Sequence, residues 1–302
     1  MDMPGTDGFF SAGILQTLPH AHVDDMAQRV LQGMSRVSAF RDPGPASCRA
    51  GCNCSALLYE ANATKAEHVA LARRLATEGA VLLKNNAPEG AGVPAHAASV
   101  AFPALEPATG SEPLLPLRAG QTIAVLGKAC DAPALKAGPL LSWTDGDYYV
   151  VGGSGRVLSN RVRTVLDGLR GRGFRLQVSS SDRERDIDAA LRGADVAITC
   201  GGARSSEYYD RTTLRLDQDD LVAASLARAK SAGVPAVVVV LAPGAVLLPW
   251  RNEATAILLA FLSGQETGEA VADVLTGRAE PGGRLPVTLP SAEADALQPC
   301  PG

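Results

Sequence analysis

The segment AVVVVLA (Ala236–Ala242) decides the fold class, because it is apolar at every position and has the length of one strand. A strand without a polar face must be covered on both sides, as in a parallel sheet between two layers of helices. Other short apolar segments predict further strands of the same sheet: TIAVLG (Thr122–Gly127), FRLQV (Phe174–Val178), DVAITCGG (Asp195–Gly202) and AILLAF (Ala256–Phe261).

Helical patterns separate these predicted strands. They are RVRTVLDGLRG, RDIDAALRG and DQDDLVAASLARAKSAG, with GEAVADVLTG after the last strand. The alternation predicts an α/β fold, with a mostly parallel sheet sandwiched by helices. Upstream, a helix is predicted over Lys65–Gly79 with Thr64 as its N-cap, and AVLLKN after it is typical of a short buried strand.

The first 42 residues have a different pattern. Residues 11–38 are predicted to be largely helical, with Asp24 and Asp25 in the first turn, where the helix dipole favours acids. The Pro- and Gly-rich stretch FRDPGPASCRAGCNC then predicts a linker. We therefore expect terminal helices at 1–42, a linker and connecting helix at 43–78, the α/β domain at 79–292 and a tail at 293–302.

Composition excludes several classes of protein. The chain has 302 residues, a net charge of −4 and 46% hydrophobic residues, which is ordinary globular composition. The near-balanced charge argues against nucleic-acid and membrane partners, since either would favour a basic stripe. No apolar run approaches the roughly 18–20 residues of a transmembrane helix, and the N-terminus has no readable signal peptide.

Three of the six cysteines, Cys48, Cys52 and Cys54, crowd into CRAGCNCS. They are compatible with a zinc site that includes His68, with a disulfide or with free thiols; their irregular spacing makes zinc the least favoured. Asn53 and the nearby Asn62 begin formal glycosylation sequons, which are compatible with export.

The loop sequence GGARSSEYYDR (Gly201–Arg211) directly follows a predicted buried strand. Ligand sites of such sheets lie at the carboxyl ends of the strands. Glu207 can act as a general acid there if its surroundings raise its pKa, with Asp210 and Arg211 beside it. The residues alone favour the alternative, a solvated polar loop.

A Gly-rich segment, YYVVGGSGRV (Tyr148–Val157), is a second candidate. It is compatible with a phosphate cradle before a helix starting near Arg156, but it lacks the Walker lysine and the full dinucleotide fingerprint. The alternative is a tight turn with positive φ at one of its glycines, Gly152, Gly153 or Gly155. The preceding residues include possible sugar contacts for which packing is the favoured role: Trp143, Asp145, Asp147 and Tyr148.

The order of these and other motifs carries a family resemblance. They are MDMPG, VDDMAQRVL, LATEGAVLLKNN, PLRAGQTIAVLG, GGSGRV, SSEYYDR, VVVVLAPGAVLLPW and SGQETGEAVADVLTGRAEPGGRLPVTLP. In this order, and over nearly the whole chain, they resemble glycoside hydrolase family 3, the β-glucosidase-like enzymes. The last motif is the most diagnostic. The resemblance implies the family's C-terminal α/β domain, preceded by terminal helices of an incomplete TIM-type barrel.

The resemblance also implies retaining hydrolysis of β-linked glucosides or oligosaccharides by two carboxylates, without a cofactor. Glu207 matches the acid/base, and Ser206 and Tyr208 beside it stand where the family often has glycines. Residues expected to bind substrate are Asp210, Arg211, Gly153 and Ser154.

The family's nucleophile has no counterpart in the chain. It precedes the MDMPG-like segment, so its position falls before Met1, and neither Asp2 nor Asp7 matches its motif. We expect the polypeptide as given to be an inactive or nearly inactive fragment of a longer enzyme, which in full-length form is secreted or extracytoplasmic. The alternative from another class is a non-catalytic carbohydrate-binding or interaction module.

Overall fold

The computed structural model describes residues 11–36, 64–88, 112–159 and 161–296, which fall in two compact units, Met1–Thr64 and Lys65–Gly302. The first unit contains helices α1 (Ala12–Leu15) and α2 (His20–Arg36). Because α2 begins directly after Pro19, whose carbonyl accepts from the first turn, Asp24 and Asp25 lie in its second turn. The prediction that they occupy the first turn is therefore wrong.

The second unit is built on a six-stranded sheet with the order β1-β6-β5-β4-β2-β3. Its strands are β1 (Val81–Asn85), β2 (Thr122–Leu126), β3 (Arg175–Ser179), β4 (Val196–Gly202), β5 (Ala236–Ala242) and β6 (Ala256–Phe261). Only β1 is antiparallel to its neighbour in this sheet; the other neighbouring pairs are parallel. The predicted strands all form, within one residue at each end. The central strands β2, β4, β5 and β6 are buried along nearly their whole length, whereas the edge strand β3 is partly exposed.

Helices cover both faces of the sheet. The helices of this unit are α3 (Ala66–Glu78), α4 (Val165–Leu169), α5 (Glu184–Leu191), α6 (Asp219–Ser231) and α7 (Thr267–Leu275). Alternate residues of the strands enter two separate cores, one shared with α4 and α7 and the other with α5 and α6. Val239 and Val240, adjacent in β5, belong to opposite cores and are both fully buried. The predicted α/β sandwich is thus confirmed.

A helix does not begin near Arg156, contrary to the sequence prediction. The N–H of Arg156 donates to the carbonyl of Gly153 within a turn, and the next helix, α4, starts only at Val165. The Thr164 hydroxyl accepts from the N–H of Asp167, and the Asp167 carboxylate accepts from the N–H of Thr164. This reciprocal cap fixes the start of α4 at Val165, which lies within the predicted helical pattern RVRTVLDGLRG and nine residues after Arg156.

A partly buried ionic cluster attaches α3 to this unit. Arg73 on α3 donates to both carboxylate oxygens of Asp273 on α7, at 2.6 and 2.7 Å. Arg172, just beyond α4, donates to Asp273 at 2.8 Å and to Glu269 at 2.7 Å. The two guanidinium groups neutralise two carboxylates of one helix, so three helices are held together on this face of the sheet.

One disulfide lies in the core. It joins Cys130, in the turn after β2, to Cys200 in β4, and both residues are at most 1% exposed. The cysteine cluster at Cys48, Cys52 and Cys54 lies outside the described residues, so its predicted alternatives stay open. In the described ranges no group of three or more His, Cys, Asp and Glu side chains is arranged to hold a metal ion, and no helix there is long and apolar enough to cross a membrane.

Candidate functional site

The candidate site lies where the strand order of the sheet reverses. From β2 the chain moves outward to β3, and it then returns to the other side of β2 to add β4, β5 and β6 in turn. A crevice at the carboxyl ends of strands forms at such a reversal point, here beside β2 and β4. β4 ends at Gly202, and the loop predicted to carry the chemistry follows it directly.

Two segments distant in sequence meet in this region. Gly152 of the Gly-rich segment and Ser206 of the loop form a short parallel bridge outside the sheet. The N–H of Gly152 donates to the carbonyl of Ser205, and the N–H of Glu207 donates to the carbonyl of Gly152, each at 3.0 Å. The loop that carries Glu207 is thereby fixed to the Gly-rich segment through the backbone.

The side chain of Glu207 turns back onto the same segment. Its Oε2 accepts from the N–H of Ser154 at 2.5 Å, and the carboxyl group is exposed to solvent. The N–H of Ser154 and, after it, the Ser154 hydroxyl lower the pKa of Glu207 because both stabilise the charged form. A general acid would benefit from a raised pKa, so these surroundings favour instead the ionised carboxylate, the form that accepts a proton.

The two segments approach so closely that only glycine fits between them. A Cβ atom at Gly153 would lie 2.3 Å from Cβ of Glu207, and one at Gly152 would lie 2.8 Å from Oγ of Ser206. Gly153 also has a φ of +99°, whereas Gly152 and Gly155 do not have positive φ. The alternative interpretation of this segment as a tight turn is therefore confirmed at Gly153.

Asp210 and Arg211 do not pair with each other. The half-buried guanidinium of Arg211 donates to the carbonyl oxygen of Arg215 at 2.8 Å, while Asp210 is exposed. Among the residues that the structure describes, no ion pair joins Asp210 and Arg211. Arg211 therefore braces the loop through backbone carbonyls, and the carboxylate of Asp210 faces solvent.

Exposed aromatic residues occur on both segments around Glu207. Tyr208 and Tyr209 are exposed, and their rings meet edge to face with centroids 4.8 Å apart. Trp143 is also exposed, and its carbonyl accepts from the N–H of Gly153 at 2.8 Å, next to the contact with Glu207. Exposed aromatic rings provide flat apolar surfaces of the kind on which sugar rings stack.

The two acidic residues before the Gly-rich segment support the backbone. Asp147 is buried and accepts from the N–H groups of Leu135, Tyr149 and Val150 at 2.7 to 2.9 Å. Asp145 accepts from the N–H of Ser142 at 2.9 Å. The favoured structural role of both residues is confirmed.

Tyr148 anchors the Gly-rich segment to the end of β4. Its hydroxyl donates to Asp217 at 3.0 Å and accepts from the side-chain amide of Gln218 at 2.6 Å. A Cβ atom at Gly202 would lie 2.5 Å from the Tyr148 ring, so the ring covers a glycine at the end of the strand. The sequence analysis did not predict that Tyr148 anchors this segment. The adjacent glycines at the end of β4, Gly201 and Gly202, were the one sign that another group packs closely there.

Tyr208 has a φ of +84°, and among the described residues it is the one non-glycine residue with a left-handed backbone. It occupies a position where the resembled family often has glycine, the residue that adopts positive φ most readily. A Cβ atom in this region costs roughly 1 kcal/mol, a cost that glycine avoids.

We therefore expect Tyr208→Gly to be more stable than Tyr208→Ala by about 1 kcal/mol, because both variants lose the ring but only alanine keeps Cβ. Urea unfolding of the two variants measures this difference. At the neighbouring Tyr209, which lacks a positive φ, the alanine variant should be equal to or more stable than the glycine variant. The same order at both positions would contradict strain at Tyr208.

Comparison with known proteins gives one consistent result. Residues 80–301 match the family model for the "Glycosyl hydrolase family 3 C-terminal domain". "Beta-glucosidase B" of Emericella nidulans is 40% identical over 146 residues, which are 44% of this chain and 16% of that protein. The "Exo-alpha-(1->6)-L-arabinopyranosidase" of Bifidobacterium breve is 30% identical over 238 residues, which are 74% of this chain and 27% of that protein.

A solved structure matches nearly the whole chain. The beta-D-glucoside glucohydrolase from Trichoderma reesei covers 99% of this chain with a TM-score of 0.72 and 23% identity, and this match shows the fold. The matched region is 40% of the Trichoderma chain. This chain thus spans well under half the length of each of these three proteins.

Proposed function

This chain belongs to glycosyl hydrolase family 3, and from that membership we propose that it supplies the acid/base half of a retaining glycosidase site. The observation that carries the proposal is the position of Glu207. It is an exposed carboxylate on the loop after β4, fixed by the Gly-rich segment and flanked by exposed aromatic rings. Its place in the motif SSEYYDR is the one at which β-glucosidase-like enzymes carry the acid/base.

In the proposed reaction, Glu207 has two successive duties. In its protonated form it donates a proton to the glycosidic oxygen as the leaving group departs, while a separate carboxylate, about 5–5.5 Å from that of Glu207, attacks the anomeric carbon. The resulting Glu207 carboxylate then removes a proton from water, which displaces the enzyme from the sugar. The lowered pKa of Glu207 suits this second duty, and a bound aglycone that excludes water would raise the pKa for the first.

We propose β-glucosides and related oligosaccharides as the substrate class. The names of the relatives support a pyranoside, since one is a beta-glucosidase and another an exo-alpha-(1->6)-L-arabinopyranosidase. Asp210 is free to accept hydroxyl hydrogen bonds from such a sugar, and Arg211 braces the loop that presents it. Gly153 and Ser154 border the same space beside Glu207.

The 302-residue polypeptide by itself is expected to be inactive or nearly so, because none of its residues matches the family's nucleophile motif. Losing a central catalytic group removes several powers of ten in rate. Incubation with an aryl β-glucoside measures this directly. Ordinary turnover that Glu207→Gln abolishes would show instead that these residues hold a complete site.

The role of Glu207 can be tested by joining this chain to the nucleophile-bearing barrel domain of a family relative. In the hybrid, Glu207→Gln should slow hydrolysis of a substrate with a poor leaving group by roughly 10²–10⁴-fold. A dinitrophenyl glucoside, whose leaving group needs no proton, should form the glycosyl-enzyme at nearly the original rate.

The matched control in the hybrid is Glu253→Gln, which removes another exposed carboxylate and should leave both substrates unaffected. Equal losses for both leaving groups with Glu207→Gln would exclude proton donation by Glu207. No loss with either substrate would exclude Glu207 from the site altogether.

A carbohydrate-binding module is the second candidate function, and the exposed ring of Trp143 favours it. In this case the 302-residue chain should bind cellobiose measurably by calorimetry, and Trp143→Ala should abolish binding while Glu207→Gln should not. Lack of cellobiose binding would leave the glycosidase proposal as the better one.

For the compartment, we propose an oxidising, extracytoplasmic one. The buried bond between Cys130 and Cys200 supports this, because disulfides persist where thiols are not kept reduced.

A further inference from the structure

The Gly-rich segment contacts the proposed acid/base more closely than any other part of the described chain does. Three contacts reach it: the N–H of Glu207 on the carbonyl of Gly152, the N–H of Ser154 on Oε2 of Glu207, and the close approach of Gly153 to Cβ of Glu207. The N–H of Ser154 and the carboxylate are 53 residues apart in sequence. A carboxylate on an exposed loop would otherwise sample many rotamers.

We propose that the turn Gly152–Gly153–Ser154 is the positioning element of Glu207, and that Ser154 serves the carboxylate rather than the sugar. The inference rests on the proposed function, since it concerns the acid/base of that site. Gly153 is a positioning residue because any larger side chain there would push Glu207 away. Ser154 is also a positioning residue, because its N–H selects a single orientation of the carboxylate.

Other charged groups of the two segments are engaged elsewhere. Arg156 donates to the carbonyl of Ser142, Arg204 pairs with Asp217 at 3.1 Å, and the guanidinium of Arg211 donates to the carbonyl of Arg215. Asp145 accepts from a backbone N–H, and Asp210 faces solvent. The N–H and the hydroxyl of Ser154 are therefore the groups that lower the pKa of Glu207, while desolvation raises it slightly.

The 302-residue chain, labelled with ¹³C and ¹⁵N, allows the proposal to be tested by NMR without turnover. The side-chain carboxyl carbon of Glu207 should titrate below the usual range for glutamate, and the amide proton of Ser154 should shift with the same midpoint. A shared midpoint reports a hydrogen bond between the two groups, which a merely structural turn would not produce.

Three variants separate the contributions of the turn. Gly153→Ala should raise the midpoint of Glu207 and remove the matching shift of the Ser154 amide. Ser154→Ala should raise the midpoint less, because the N–H remains, and Ser154→Thr should restore it. The matched control is Gly155→Ala, whose Cβ would lie 3.5 Å from Val151 in ordinary contact and should change neither signal.

A native midpoint in the usual range, or an equal response to Gly153→Ala and Gly155→Ala, would overturn the proposal. If Gly153→Ala does not give a folded spectrum, the test rests on the Glu207 midpoints of Ser154→Ala and Ser154→Thr. Equal midpoints in these two variants would also overturn the proposal. Failure of the proposed function has a different signature: the titrations behave as expected, yet Glu207→Gln in the hybrid enzyme shows no dependence on the leaving group.

Discussion

Gly268→Ala is expected to lower the free energy of unfolding by about 3 kcal/mol or more, or to prevent folding. Gly268 lies in the first turn of α7, where that helix crosses α4. A Cβ atom there would lie 1.8 Å from the carbonyl oxygen of Thr164, and one at Gly168 of α4 would lie 1.9 Å from the carbonyl of Gly268. Both obstacles are backbone atoms, so no side chain can move aside to relieve the clash.

Urea unfolding of the variant and the native chain measures this loss. The matched control is Gly244→Ala, because a Cβ atom at Gly244 would meet no atom within 4 Å. The control should stay within about 0.5 kcal/mol of the native chain. Similar stabilities for the two variants would mean that the backbones of α4 and α7 are not in direct contact.

Replacing both Cys130 and Cys200 by alanine should cost roughly 4 kcal/mol. The bond closes a loop with a sequence separation of 70 residues, and the chain-entropy model gives about 4 kcal/mol for a loop of this size. Both half-cystines are buried between β2, β4 and the helices on one face, so the variant also loses packing in the core.

The measurement compares urea midpoints with and without dithiothreitol. The native chain should lose stability on reduction, whereas the double variant should begin at the lower midpoint and respond little. If dithiothreitol lowered the urea midpoint of the double variant as much as that of the native chain, the effect of reduction would come from the remaining cysteines. This result would contradict a stabilising bond between Cys130 and Cys200.

Local sequence patterns were sufficient for the sheet but not for every helix. The apolar run Ala236–Ala242 was predicted to the residue, because each of its positions must be buried whatever the neighbours are. The start of α2 was placed too late because the apolar stripe of the helix begins only at Val23, while the helix itself begins at His20. The helix expected near Arg156 was misplaced because a Gly-rich turn there serves Glu207.

The candidate site was predicted in part. Glu207 was identified from the motif around it, and the loop was assigned to the carboxyl end of a strand because a polar run followed a buried one. The motif placed Asp210 and Arg211 beside Glu207 as expected substrate-binding residues, but it did not predict that the Arg211 guanidinium contacts backbone carbonyls. Arg211 reaches the carbonyl of Arg215.

The sequence by itself determined the strands, the α/β class, the family and the acid/base candidate, because each depends on short local patterns and on their order along the chain. The tertiary structure decided what those residues contact. The bridge between Gly152 and Ser206 and the bond between Cys130 and Cys200 join segments 50 to 70 residues apart. Such contacts follow from the order of strands in the sheet and from the paths of the loops. Hydrophobic periodicity reports burial one position at a time, so it contains no information about strand order or loop paths.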